Sequence, residues 1–489
     1  MTRPTHRPGA QHAGVAPVNP GLVLLTAAGA TFLAFLDTTV VNIAFPALEQ
    51  DFPESSLADL SWVLTGYGVL FAALLTPAGR LADVAGRRRL FAISVALFVL
   101  TSFLVAVAPN VPFLIAARVL QGGAAAGMIP AALGLVLANT PAENRTNAVG
   151  LWAAAGSLAA AAGPSLGGLL IEATNWRAVF LINVPIGLLL VYLTVRKLPA
   201  DQPSGRKLPD LIGTVMVTAG IALAVLGLTQ GADWGWSDGK TLGCLIAAGI
   251  LLPAALVKSM RHPAPAVETD LWRSRVFSAA SLASLTFGMA MFAFLLLGPI
   301  FLTMVWDYSI LKAGLAISPG ALMSAVAAVI VGKRATPRGQ RIAMIVAALV
   351  FAGVSYWLYA ALTVEPQYLA IFLPANLISG AAVGAVMTVL SSAAAASLPP
   401  QRFAGGTGMV ITARQLGGAL GIAAMAAILT SQASAGIDGL LDVMLFCSIV
   451  AVVTAVVGLF LFDKTPAQPA ASAPAPAEPR TDQSVGSTS

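Results

Sequence analysis

Residues 22–46 read LVLLTAAGATFLAFLDTTVVNIAFP. The stretch is apolar enough to cross a membrane, yet it carries Asp37. A carboxylate at that depth costs roughly 2.5–3.5 kcal/mol on insertion scales, and chains that keep one use it most often to move a proton or cation. Low dielectric favours the neutral form of such a group. Asp37 is therefore a candidate to bind and release a proton. The alternative is a carboxylate held quietly by Thr39 or by a neighbouring helix.

The rest of the chain fits a membrane setting. Its 489 residues are 57% hydrophobic and only 10% charged, with mean hydropathy +0.85. A soluble domain carries about 25% charged residues. Lipid forces every backbone polar group to be satisfied internally, so spans are helices or closed barrels. The apolar runs here are about 20 residues long and do not alternate, which selects helices. Fourteen spans are expected, near residues 22–46, 59–78, 90–108, 111–137, 147–171, 178–195, 211–229, 241–257, 276–305, 313–332, 342–362, 367–391, 406–430 and 441–462.

Charge placement supports this count. Net charge is +6, which alone suggests a nucleic-acid partner. With the N-terminus in the cytoplasm, however, 22 of the 27 basic residues fall on the inner side. Only Arg177, Lys240 and Lys312 fall outside, and Arg118 and Arg414 lie within spans. Losing one span would invert every later loop and destroy the bias. The excess is thus a positive-inside signal and no nucleic acid is expected. Outer loops carry Glu49, Asp51, Glu54, Asp307 and Glu365. Residues 1–20 hold no apolar core, so no cleavable signal is expected.

A repeat is visible. Pro46 to Gly79 and Pro299 to Gly332 both span 33 residues. Leu166-Gly167-Gly168 recurs as Leu416-Gly417-Gly418, 250 residues later. Two related six-helix bundles are expected, with a site at their interface. The expected organisation is a cytoplasmic N-terminal tail (1–21), an N-terminal bundle (22–195), a cytoplasmic linker (196–210), an inserted pair of helices (211–257), a second linker (258–275), a C-terminal bundle (276–462) and a disordered cytoplasmic tail (463–489).

Catalytic and redox chemistry finds no foothold. His6, His12 and His262 all fall outside the spans, and Cys244 and Cys447 lie in apolar runs without metal spacing. No Ser/His, Cys/His or His/carboxylate constellation occupies a span, so an enzyme is not expected. No phosphate-binding Gly-x-x-x-x-Gly-Lys-Ser/Thr loop is present, and no metal or cofactor is expected beyond a proton as coupling ion.

The loop Gly79-Arg80-Leu81-Ala82-Asp83-Val84-Ala85-Gly86-Arg87-Arg88-Arg89 joins spans 2 and 3 on the inner side. Its glycines permit a tight turn, and Asp83 suits a helix N-terminus or an arginine partner. The loop resembles the signature of the major facilitator superfamily. Residues 36–46 resemble the first-span signature of its fourteen-span drug:proton antiporters. Arg118-Val119-Leu120-Gln121-Gly122-Gly123 resembles the superfamily's buried-arginine motif, and Gly163-Pro164-Ser165-Leu166-Gly167-Gly168 its antiporter motif. Trp176-Arg177, Asn183-Val184-Pro185-Ile186-Gly187 and Arg414-Gln415-Leu416-Gly417-Gly418 also fit. The resemblance covers nearly all of residues 22–462. It implies a major facilitator fold, a latch at Gly79, Asp83, Gly86 and Arg87, and an interior Arg118 that influences proton binding. One departure lies in the second-half loop, where Thr336 occupies the place of Asp83 and Pro337 follows it.

Physical roles follow for the remaining motif residues. Gly156, Gly163 and Gly167 share a helix face, and Gly163 with Gly167 makes a G-x-x-x-G pair beside Pro164. That face either packs tightly or, together with Gly168, slides and bends as the bundles rock. Arg118 either snorkels outward or faces inward. Arg414 holds a substrate acceptor, a backbone carbonyl or its own helix packing. Trp62, Tyr67, Phe71, Trp152, Phe287 and Phe292 are candidates to line an apolar cavity, and each equally suits lipid contact or an interface belt.

The expected function is proton-coupled export of lipophilic drugs or antibiotics from a bacterial inner membrane, with both termini cytoplasmic. The lone deep carboxylate favours neutral or monocationic substrates. The lipid bilayer is the only other partner expected; no obligate protein partner is evident. The alternatives are a dedicated exporter of one endogenous metabolite and a transport-dead membrane sensor. One proton entering down 100 mV releases about 2.3 kcal/mol, enough for roughly a fifty-fold gradient of a neutral substrate.

Overall fold

A computed structural model describes residues 19–200, 205–334, 337–431 and 437–459. Among them, 14 helices are long and apolar enough to cross a membrane. In chain order span 1 is Pro20–Asp51, span 2 Leu57–Ala85, span 3 Arg87–Ala106, span 4 Val111–Ala138, span 5 Arg145–Ala173 and span 6 Ala178–Lys197. Span 7 is Leu211–Trp234, span 8 Gly239–Arg261, span 9 Arg275–Met304, span 10 Ile310–Arg334, span 11 Pro337–Ala361, span 12 Leu373–Ala396, span 13 Phe403–Ser431 and span 14 Asp438–Gly458. Thr336, residues 1–18 and the C-terminal tail from residue 460 lie outside the described residues.

Local chemistry sets the helix starts. Asn19 accepts from the Gly21 and Leu22 amides, Asn110 from Phe113 and Asp210 from Gly213. Ser56 and Asp59 form a reciprocal capping box at span 2. These caps satisfy amides that the first helical turn leaves without partners. Span 1 runs further than expected, through Pro46 to Asp51. One proline removes only one ladder bond, and the chain beyond it stays helical. Spans 7 and 8 are also longer than their apolar cores suggest.

Packing repeats with the sequence. Span 1 packs on span 5, span 2 on span 4 and span 3 on span 6. The same pairs recur eight spans later: 9 on 13, 10 on 12 and 11 on 14. These are two six-helix bundles of one design. They meet along two seams, span 2 against span 13 and span 5 against span 10. The inserted span 7 packs on spans 2 and 13, flanking the first seam.

Candidate functional site

Span 1 carries Asp37 into the interior of the first bundle, where it is 1% exposed. Span 4 brings Arg118, also 1% exposed, within 2.6 Å of Asp37 Oδ2. Oδ1 accepts from Gln121 Nε2 and from Asn183 Nδ2, both at 3.0 Å. Arg118 further donates to Gln121 Oε1 at 2.7 Å and to the Val63 carbonyl at 3.2 Å. Its guanidinium lies 4.4 Å from the Tyr67 ring centroid. Asn183 reaches Ser102 Oγ at 3.0 Å, which donates to the Phe180 carbonyl. Five of the six spans of this bundle therefore contribute to one charge cluster.

This geometry decides two readings that the sequence leaves open. Arg118 faces inward rather than snorkelling. Thr39 is not the partner of Asp37: its hydroxyl donates to the carbonyls of Phe35 and Leu36. A buried carboxylate needs such pairing, because an isolated charge in low dielectric is costly. Gln121 and Asn183 stand in the quoted motifs without an assigned role. Gln121 falls three residues after Arg118, on the same helix face, which was the available signal.

At the arginine-rich end, the loop between spans 2 and 3 reaches across to span 13. Asp83 accepts from the amides of Ala404 at 3.2 Å and Gly405 at 2.6 Å. These are the first free amides of span 13, where a helix favours negative charge. Arg87 pairs with Asp83 at 2.6 Å, donates to the Pro400 carbonyl and lies over the Phe403 ring. Gly79 permits the approach: a side chain there would overlap the Ala404 carbonyl oxygen. Gly86 closes the turn at φ 108°, a conformation that favours glycine. One turn deeper, the hydroxyls of Thr76 and Thr412 meet at 2.7 Å.

A second tie at this end has no counterpart in the sequence reading. Glu268, in the stretch between spans 8 and 9, is 4% exposed. Arg80 reaches it at 2.6 Å, Arg402 at 3.3 Å, and Arg206 pairs with it as well. Arg80 belongs to span 2, Arg206 precedes span 7, and Arg402 precedes span 13. One carboxylate so joins both bundles to the inserted pair.

Along the other seam the bundles meet through Gly150, Ser157, Ala161 and Pro164. Ser157 and Ser324 hydroxyls lie 3.0 Å apart, and Ser318 donates to the Ala161 carbonyl at 3.2 Å. Pro164 packs on Gly314, and Gly150 on Ala328. The glycine face of span 5 turns the other way. Gly156 meets Phe35, Gly163 meets Thr39 and Gly167 meets Val40, all on span 1 of the same bundle. Gly168 faces Leu311 of span 10.

The aromatic candidates scatter. Phe287 is fully buried between spans 9 and 11, 5.4 Å from Phe351, and Trp152 is buried too. Both are core in this conformation. Tyr67 serves the charge cluster and stacks with Phe71 at 6.0 Å. Trp62 lies 6.4 Å from Trp234 of span 7. Phe292 lies against Gly418 of span 13, one turn from Arg414. Among the described residues no cluster suited to a metal ion is present.

Comparison with known proteins adds the family. A model described as Major Facilitator Superfamily matches residues 27–422. The puromycin resistance protein pur8 of Streptomyces alboniger is 34% identical, over 85% of this chain and 82% of that protein. The multidrug export protein EmrB of Haemophilus influenzae is 32% identical, over 83% and 80%. The cephamycin export protein CmcT of Amycolatopsis lactamdurans is 34% identical, over 84% and 85%. Among solved structures, the human organic anion transporter MFSD10 superposes with TM-score 0.65 at 16% identity, covering 90% of this chain and 99% of that one.

Proposed function

The chain belongs to the Major Facilitator Superfamily, and we propose that it is a proton-coupled antiporter exporting lipophilic drugs or antibiotics across a bacterial inner membrane. Relatives named for puromycin resistance, multidrug export and cephamycin export support the cargo class. The arginine-rich end faces the cytoplasm, by the positive-inside rule. The observation that carries the proton role is the buried cluster of Asp37, Arg118, Gln121 and Asn183.

The cluster supplies a switch. With Asp37 ionised, its charge is matched by Arg118 and the cytoplasmic end is sealed. A proton arriving from outside and binding at Asp37 removes a charge-assisted bond worth about 1.5–3 kcal/mol. Arg118 then keeps Gln121, the Val63 carbonyl and the Tyr67 and Phe180 rings, but no carboxylate, and a buried cation without its counter-ion is strained. The protonated protein therefore favours a conformer in which this region meets water, open to the cytoplasm. There the proton leaves and cargo binds. Deprotonation restores the pair, and with cargo aboard the protein returns to the outward-facing state. Alternation is rocking of the two bundles about the seams.

The test is proton-driven dye movement in inverted vesicles, wild type against Asp37→Asn. We expect the variant to lose coupled transport and keep facilitated exchange of dye. Undiminished coupled transport would remove Asp37 from the mechanism. Two of the three relatives above are named for a single compound, so a dedicated exporter is the second reading. Competition among unrelated dyes separates the two.

A further inference from the structure

Asp37 has no free oxygen for a cationic cargo: both accept N–H groups within the first bundle. The monocationic half of the expectation of a neutral or monocationic substrate rested on that carboxylate. Among the described residues, Arg414 of the second bundle is an interior charge with no opposite partner, and it is positive.

Arg414 stands on span 13 just beyond the cytoplasmic seal. Residues 403–412 of that span are all buried, and the seal ends at the Thr76–Thr412 contact. Ala413, Arg414, Gln415 and Leu416 are then partly exposed. The Arg414 side chain is partly buried and reaches toward span 12. Span 9 flanks it on one side, with Gly288 against the Arg414 carbonyl and Phe292 against Gly418. Span 12 flanks it on the other, where Arg414 Nη1 lies 3.3 Å from Met387 Sδ. Met387 is itself partly exposed between the buried Val386 and Thr388.

A guanidinium has five N–H donors, and a thioether is a weak acceptor. Among the described residues no oxygen accepts from Arg414 and no carboxylate faces it. The neighbouring Gln415 side chain is equally without a hydrogen-bond partner among them. Two successive polar side chains of span 13 are thus partly exposed and without an oxygen partner, Arg414 toward Met387 of span 12. Phe292 supplies an aromatic surface one turn farther out, and Met387 a soft apolar wall that adapts to varied shapes.

Resting on the export reading above, we propose that Arg414 is a specificity-determining residue and that the cargo is a lipophilic organic anion, its carboxylate or phenolate on Arg414 and its ring system on Phe292 and Met387. Guanidinium is weakly hydrated and planar, so it suits an oxygen anion in a partly dry site better than lysine does. The same site disfavours cations by direct repulsion.

Fluorescein and rhodamine 123 share a xanthene core and carry opposite charge, which makes them a matched pair of probes. Binding of each to the purified full chain in nanodiscs is read by fluorescence anisotropy, and efflux is read in vesicles. Arg414→Gln should weaken fluorescein binding by about ten- to a hundredfold, the loss of one charge-assisted contact. Rhodamine 123 binding should rise in the same variant, which also shows that it folds. Arg414→Lys should recover part of the fluorescein affinity. Equal loss of both dyes, or no change in either, overturns the proposal. So does a wild type that exports rhodamine 123 and ignores fluorescein, although that result leaves the export reading standing. Asp37→Asn tests that reading separately: it should abolish energised efflux and leave fluorescein binding in place.

Discussion

Replacing Glu268 with glutamine should open the cytoplasmic end. Glu268 is 4% exposed and gathers Arg80, Arg206 and Arg402. Removing one partner of a buried pair costs roughly 3–5 kcal/mol. That range applies only to Arg80, whose side chain is 5% exposed. Arg206 and Arg402 keep 22% and 33% of their side chains in solvent, where screening leaves little. Glutamine also retains one acceptor oxygen. About 1.5–3 kcal/mol is the expected loss, the worth of hydrogen bonds to charged groups. The loss falls on the sealed conformer alone, because the tied elements belong to both bundles and separate when this end opens. At about 1.4 kcal/mol per tenfold, the sealed-to-open ratio should fall by roughly ten- to a hundredfold. Spin labels at Glu143 and Arg334, one on each bundle, report the separation by pulsed dipolar spectroscopy once Cys244 and Cys447 are replaced. The distance distribution should shift to longer values in Glu268→Gln. If the distribution stays put while Asp83→Asn shifts it, Glu268 carries no gate, and the reasoning fails.

Two further outcomes follow from packing and charge. Gly79→Ala should keep the cytoplasmic end from closing, because the added carbon overlaps the Ala404 carbonyl and lies 3.2 Å from Gly405 Cα, both backbone atoms that cannot turn aside; a disulfide between Thr76→Cys and Thr412→Cys should form in the wild-type background and fail in this one. At the opposite end, on the part of the span 1 helix that extends beyond its membrane-crossing segment Pro20–Val41, the Trp176 indole N–H and then Arg177 hold the Asp51 carboxyl below its ordinary 3.8. A depressed carboxylate stabilises above its unfolded value, and that contribution is lost as pH falls through the folded one. The thermal midpoint should therefore drop in the acid limb below about pH 4, and Asp51→Asn should flatten that limb without matching the wild type at neutral pH.

Legibility tracked how unusual a residue is in its setting. Asp37 and Arg118 stand out because charge within an apolar run has few explanations, and the structure pairs them. The fourteen spans were legible from run length and basic loops for the same reason. Asn183 and Gln121 carry no such signal, since an amide in a span is too common to mark a role. Glu268 was invisible: a carboxylate in a polar linker looks ordinary, and its burial is made by arginines distant in sequence, such as Arg206 62 residues before it. The span 5 glycines show a second limit. Spacing puts Gly156, Gly163 and Gly167 on one face, but only the fold says that this face closes on span 1. Rotation about the helix axis likewise separates Phe287, lost in the core, from Phe292 against Gly418, one turn from Arg414.

The two charged sites together place a demand on the gate. Under the proposed mechanism, a proton at Asp37 and an anion at Arg414 are of opposite sign, so by Coulomb's law each favours the other. Charge alone would send them the same way across the membrane. For a cationic cargo, competition for one carboxylate would enforce exchange by itself; here it cannot. Exchange must come from alternation, with the proton admitted only outside and the cargo only inside. In that scheme the seal that separates these steps is the set of contacts made by Asp83 on the start of span 13, Glu268 among its arginines and Gly79 beneath Ala404. The membrane potential rewards the arrangement: an anion leaving and a proton entering both run downhill, about 4.6 kcal/mol per 100 mV for the pair against about 2.3 for a neutral cargo. The same field drives a proton inward whenever the seal slips. Loosening Glu268 should accordingly convert stored potential into a proton leak that needs no cargo, the outcome expected if, as proposed, coupling rests on the closure between the halves rather than on rivalry for a shared group.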